Sequence, residues 1–113
     1  MMKKTEYCIV STAVPDAGTA ETLAGELLRE RLAACIHMQD IRSCYVWENS
    51  LRKEKEIVLW IKTLERNYSD IEAFIQAHHP YDLPEIIKVP VTGGLPGYLE
   101  WLANSAGGSG SSQ

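Results

Sequence analysis

Residues 35–62, Cys35-Ile36-His37-Met38-Gln39-Asp40-Ile41-Arg42-Ser43-Cys44-Tyr45-Val46-Trp47-Glu48-Asn49-Ser50-Leu51-Arg52-Lys53-Glu54-Lys55-Glu56-Ile57-Val58-Leu59-Trp60-Ile61-Lys62, alternate with a period of two. Cys35 and His37 fall on one side of an extended chain, Ile36 and Met38 on the other. Near Gln39-Asp40 the apolar phase slips, because Ile41, Tyr45 and Trp47 occupy odd positions, and a β-bulge or bend is expected there. Glu48-Asn49-Ser50 predicts the turn, with Asn49 suited to a left-handed conformation. The return strand runs from Leu51 to about Lys62, so both strands exceed the common length of ~5–6 residues.

Upstream, Tyr7–Val14 predicts a first strand, closed by the turn residues Pro15-Asp16-Ala17-Gly18. Ala20, Leu23, Ala24, Leu27 and Leu28 then recur with the spacing of an amphipathic helix, and Asp16 or Thr19 is placed to cap it. Downstream, Asn67-Tyr68-Ser69-Asp70 opens a second helix with Ile71, Phe74, Ile75 and His78 on one face, which Pro80 stops near His79. Pro84–Val91 predicts a fourth strand whose prolines suit a sheet edge. Tyr98–Leu102 begins a short third helix, and Ser105–Gln113 has the composition of a flexible Gly/Ser-rich tail. The expected organisation is a single domain over residues 1–104 with a tail over 105–113.

The order β-α-β-β-α-β is the split βαβ arrangement, an α+β ferredoxin-like two-layer sandwich, here with a long β2-β3 hairpin and a short C-terminal helix. Strand three carries Ile57, Leu59 and Ile61 on one face and Val58 and Trp60 on the other, and strand one is apolar on both sides. Two helices cover only one face, so the pattern predicts a homo-oligomer in which other copies cover the second.

The formal net charge is -4 with basic residues spread along the chain, which argues against nucleic acid as a partner. No uncharged apolar run reaches the ~18 residues of a membrane helix, so no membrane association and a cytoplasmic location are expected. The three cysteines Cys8, Cys35 and Cys44 lack metal-finger spacing and fit reduced thiols. No Gly-x-Ser-x-Gly elbow, phosphate loop, Cys-x-x-Cys or i,i+4 histidine pair is present, so the expectation is a protein that is not an enzyme.

Six stretches taken together bear a family resemblance: Ser11–Asp16, Leu32–Cys35, Ser43–Trp47, Glu56 with Lys62-Thr63, His78–Ile87 and Tyr98–Trp101. In order and spacing this set, over roughly residues 5 to 104, resembles the CutA divalent-cation tolerance family. The resemblance implies a ferredoxin-like homotrimer with hairpins reaching across neighbours, an architecture shared with the PII nitrogen-regulatory proteins. It also implies an association with tolerance of divalent metal ions, with copper binding in some bacterial relatives and an anchoring role for a membrane enzyme in animals.

His78 and His79 are the first-choice metal ligands, for copper(II) or another divalent ion, because neutral imidazole suits such metals. Adjacent helical residues point about 100° apart, so one ion takes both only if the last turn frays. Alternatively, His78 packs beside Phe74 and Ile75 and His79 sits at the helix end as a structural residue. No metal is expected to be essential for folding. The copper site of bacterial relatives adds a Cys at the end of strand one, where this chain has Ser11, and a hydroxyl is a poor ligand for a soft metal. Cys35 and His37, i and i+2 on a strand, are a second possible chelating pair, set against the plainer reading of a buried thiol and a surface imidazole. Trp47, Lys62, Tyr81 and Glu85 suit an intersubunit cleft for a small ligand, or else simply pack at an interface. The main expectation is thus a trimeric, copper-type metal-binding protein, and the alternative is a PII-like signalling or scaffold trimer that binds a metabolite or protein.

Overall fold

A computed structural model describes residues 6–107. Strand β1 (Tyr7–Val14) leads into helix α1 (Ala17–Arg29), followed by β2 (Cys35–Trp47) and β3 (Ser50–Leu64). A 3-10 turn over Glu65–Asn67 enters α2 (Tyr68–His78), and β4 (Ile87–Val91) and α3 (Pro96–Ser105) complete the order. The four strands form one antiparallel sheet in the order β2-β3-β1-β4, the expected split βαβ topology. Pro90 lies in an edge strand, where its missing amide donor is tolerated.

Local chemistry sets the boundaries. Asp16 caps α1 by accepting from the Thr19 amide at 2.8 Å, a bond that holds its carboxyl below the ordinary range. At the other end Arg31 takes a left-handed conformation, so that its amide bonds the Leu28 carbonyl and the Leu32 amide bonds that of Leu27. The hairpin closes through the two residues Glu48 and Asn49, both at positive φ (51° and 66°), so Ser50 pairs with Trp47 and belongs to β3.

Four expectations need correction. The ladder from Cys35↔Lys62 to Trp47↔Ser50 is unbroken, so there is no bulge at Gln39-Asp40. The change in phase marks instead where the hairpin projects beyond the helices and its front face turns polar. The fourth strand starts at Ile87 rather than Pro84, and the third helix starts at Pro96, whose fixed φ suits a first helical turn. At the head of α2 the Asn67 side-chain amide donates to the carbonyls of Leu32 and Ala106 and to the Thr63 hydroxyl. Ser105 ends α3 and Ala106 is buried, so those two residues are not tail, while 108–113 lie outside the described residues.

The front face packs Cys8, Val10, Val14, Leu59 and Ile61 beneath α1 and α2, whose Leu23, Leu27, Ile71 and Ile75 complete the core. Burial pushes the Cys8 thiol up to about 11, with Glu65 adding to the shift. The rear face is covered in part, where Leu102 and Ala106 from the α3 region meet Leu64 and Tyr7. Trp60, Ile87 and Val89 stay 37–51% exposed on that face.

Replacing Glu48 by glycine removes the β-carbon from a left-handed position, and a gain of about 1 kcal/mol is expected in urea unfolding at fixed protein concentration.

Candidate functional site

The histidine pair is organised by Pro80. A residue before proline is driven out of the helical region, and His79 is extended (φ -78°, ψ 139°), so α2 ends at His78. The two imidazoles consequently go to different places. His78 is exposed, stacks on Phe74 at 4.2 Å and bonds the Phe74 carbonyl through Nδ1 at 2.9 Å. With Nδ1 donating, its Nε2 carries the lone pair.

His79 is 9% exposed and bonds at both nitrogens. Its Nε2 donates to the Ala13 carbonyl at 2.8 Å, and its Nδ1 accepts from the Tyr81 amide at 3.1 Å. These partners fix the neutral tautomer and occupy the lone pair that a metal would need. His79 is therefore a strut between the end of β1 and the loop that follows α2. The pair does not fit one ion, and the described residues contain no cluster of three or more His, Cys, Asp or Glu side chains able to hold one.

From that strut the 79–86 loop crosses the end of the sheet to its rear face. Tyr81 donates its hydroxyl to Glu56 Oε2 at 2.9 Å, and Ser43 donates to Glu56 Oε1. Glu56 is 8% exposed, and a carboxyl so placed is costly unless hydrogen-bonded. Burial first, then the bond to Glu56 and its charge, pushes the Tyr81 phenol up to about 12. Farther along, Ser11 donates to Glu85 at 3.4 Å, so its hydroxyl is directed at a carboxylate. The sequence reading gave Glu56 and Ser43 no role. Their signal was an acid in register with the apolar Val58 and Trp60 on the rear face of β3.

Tyr81 and Glu85 thus share a loop, but Lys62 does not join them within one chain, since it bonds the Tyr98 hydroxyl at 3.3 Å and lies over that ring. Trp47 sits at the hairpin tip, twelve residue steps from the Cys35↔Lys62 pair, or roughly 40 Å at the usual strand rise. Cys35 and His37 share the rear face of β2, the first half-buried and the second exposed.

Sheet order, helical cover and loop define an α+β domain of ferredoxin-like class whose second face and long hairpin are left partly open. A family model described as CutA1 divalent ion tolerance protein matches residues 8–105, and the chain belongs to that family. It is 39% identical over 98 residues to the chloroplastic protein CutA of Arabidopsis thaliana, covering 86% of this chain but spanning only about half (54%) of that relative's length. The divalent-cation tolerance protein CutA of Pyrococcus horikoshii is 38% identical over 94 residues, 83% of this chain and 92% of the relative. The crystal structure of CutA1 from Oryza sativa superposes with a TM-score of 0.86 at 38% identity, covering 89% of this chain and 94% of that one.

The bond from Tyr81 to Glu56 gives a titration prediction. Since the folded phenol of Tyr81 lies above its ordinary value near 10, its contribution to stability is complete below that pH and is lost as pH rises toward about 12. Subtracting the alkaline phenolate absorbance curve of Tyr81→Phe from that of the wild type should isolate one group with a midpoint near 12. A midpoint at the ordinary value would mean that the bond to Glu56 does not form in solution.

Proposed function

We propose that the protein is a cytoplasmic homotrimer that binds divalent metal ions of copper type and serves cation tolerance, without catalysing a reaction. The observation carrying the assembly is the rear face of the sheet. Trp60, Ile87, Val89, Tyr98 and Trp101 are each more than a third exposed, a load of apolar surface that soluble monomers seldom leave open. Among the described residues no further strand pairs with either sheet edge, the thirteen-residue β2 or β4, so their outer backbone groups can pair with another chain. Membership of a divalent ion tolerance family supports the metal reading.

Within that reading His78 is the ligand that one chain supplies. Its Nε2 is open, and it lines a groove of about 450 Å³ between α1 and α2, beside Asp16 and Glu26. Asp16 is engaged in its cap and Glu26 with Arg29, so one chain offers an incomplete coordination shell and the rest must come from water or a neighbouring copy.

Two measurements bear on this. Light scattering at micromolar concentration should report three chains per particle, and a monomer would remove the basis for the assembly. Calorimetric titration with copper(II) should show binding that His78→Ala abolishes and His79→Ala retains, with folding of both followed by circular dichroism. Undiminished binding by a folded His78→Ala protein would reject this ligand assignment.

A further inference from the structure

Beyond Asp40 the β2-β3 hairpin leaves the cover of the helices, and its two faces carry different chemistry. The ladder places Arg42 directly opposite Lys55 and Cys44 opposite Lys53, so three cations occupy adjacent positions on the front face. Like charges directly across an antiparallel pair repel. All three are exposed, and among the described residues no carboxylate lies within ion-pair distance of any of them; the two ion pairs found are Arg29–Glu26 and Lys88–Glu65. Glu54, Glu56 and Arg52 lie on the rear face of the same ribbon. A concentrated positive field is thus built on one side of a hairpin in a chain whose net charge is -4.

Next to these cations, where the hairpin meets the β1–α1 turn, is an open hollow of about 410 Å³. Arg42 and Lys55 line it with Pro15, Ile41 and Ile57 as apolar wall, and two acids also border it: Asp40, and Glu56, whose carboxylate accepts from Ser43 and Tyr81. The volume falls within the range of small-molecule sites. Arg42 offers a forked donor matched to phosphate or carboxylate oxygens, and Lys55 and Lys53 offer point charges along the same line. Asp40 and Glu56 would repel an anion placed beside them, so the charged end of a ligand belongs toward the hairpin tip, at the Arg42–Lys53 end. A hydroxyl or amino group of the same ligand would then suit the Asp40 carboxylate.

We propose that the front face of the hairpin is a binding site for a multiply charged small anion of phosphate type, held by Arg42, Lys55 and Lys53 over the hollow at Pro15 and Ile57. This site is separate from the metal reading, since it shares no residue with the His78 groove.

The test uses pyrophosphate as the probe, titrated calorimetrically into the assembled full chain at low and physiological salt. Saturable binding is expected, weakening as salt rises. Arg42→Gln should weaken it about tenfold or more, whereas Arg52→Gln, which removes one charge from the opposite face of the same ribbon, should leave it within about twofold. Equal losses in the two variants would mean that pyrophosphate senses only net charge, and absence of saturable binding to the wild type would be as damaging; either result overturns the site. Light scattering on Arg42→Gln/Lys55→Gln separates the remaining explanation. An unchanged particle mass supports a ligand site, whereas dissociation would show that the cations face an acidic surface of another copy and would overturn it.

Discussion

The structure depends on a sheet with two apolar faces and helices enough for one. Both α1 and α2 pack on the front, where the side chains of Val10, Val14, Leu59 and Ile61 are sealed from water. The rear face gets one ten-residue helix and one loop. What these leave open governs how the molecule can be completed, because at roughly 25 cal/mol per Å² of apolar surface the exposed Trp60, Ile87 and Val89 gain more from a partner than from solvent.

Proline chemistry decides the local arrangement around the histidines. Pro80 forces His79 into an extended conformation, which ends α2 and turns the second imidazole inward to the Ala13 carbonyl while the first stays outside. Two neighbouring residues of the same type thereby acquire unrelated jobs. The inner one holds the loop whose Tyr81 reaches Glu56, so the end of β1, the loop and the base of the hairpin behave as one connected unit.

Much of this was legible in the sequence because periodicity reports burial directly. Tyr7–Val14 has the bounds the alternation predicts, and the apolar spacing of α1 is the one buried, with Asp16 rather than Thr19 as its cap and Ala17-Gly18 in its first turn rather than in the preceding loop; the two-faced character of β1 and β3 is plain from alternation alone. Where cover changes along a strand, the same signal misleads. The phase shift at Gln39-Asp40 looked like a bulge because sequence periodicity cannot distinguish a slipped register from an unbroken one leaving the protection of a helix. The site was less legible still. That His78 and His79 part company follows from the residue before proline, but that Glu56 would find Ser43 and Tyr81 requires a loop to cross the sheet end, and this contact spans 25 residues in sequence.

Asn67 joins parts that are far apart in the chain. One buried amide group reaches the carbonyls of Leu32 and Ala106 and the hydroxyl of Thr63, which ties the α1–β2 connection, the end of β3 and the exit of α3 together. Shortening the polypeptide at residue 104, where its composition turns to glycine and serine, would delete the Ala106 acceptor and its apolar plug, loosening the front layer from the far side of the sheet. Any fusion or tag at the carboxyl end should therefore be joined after Ala106.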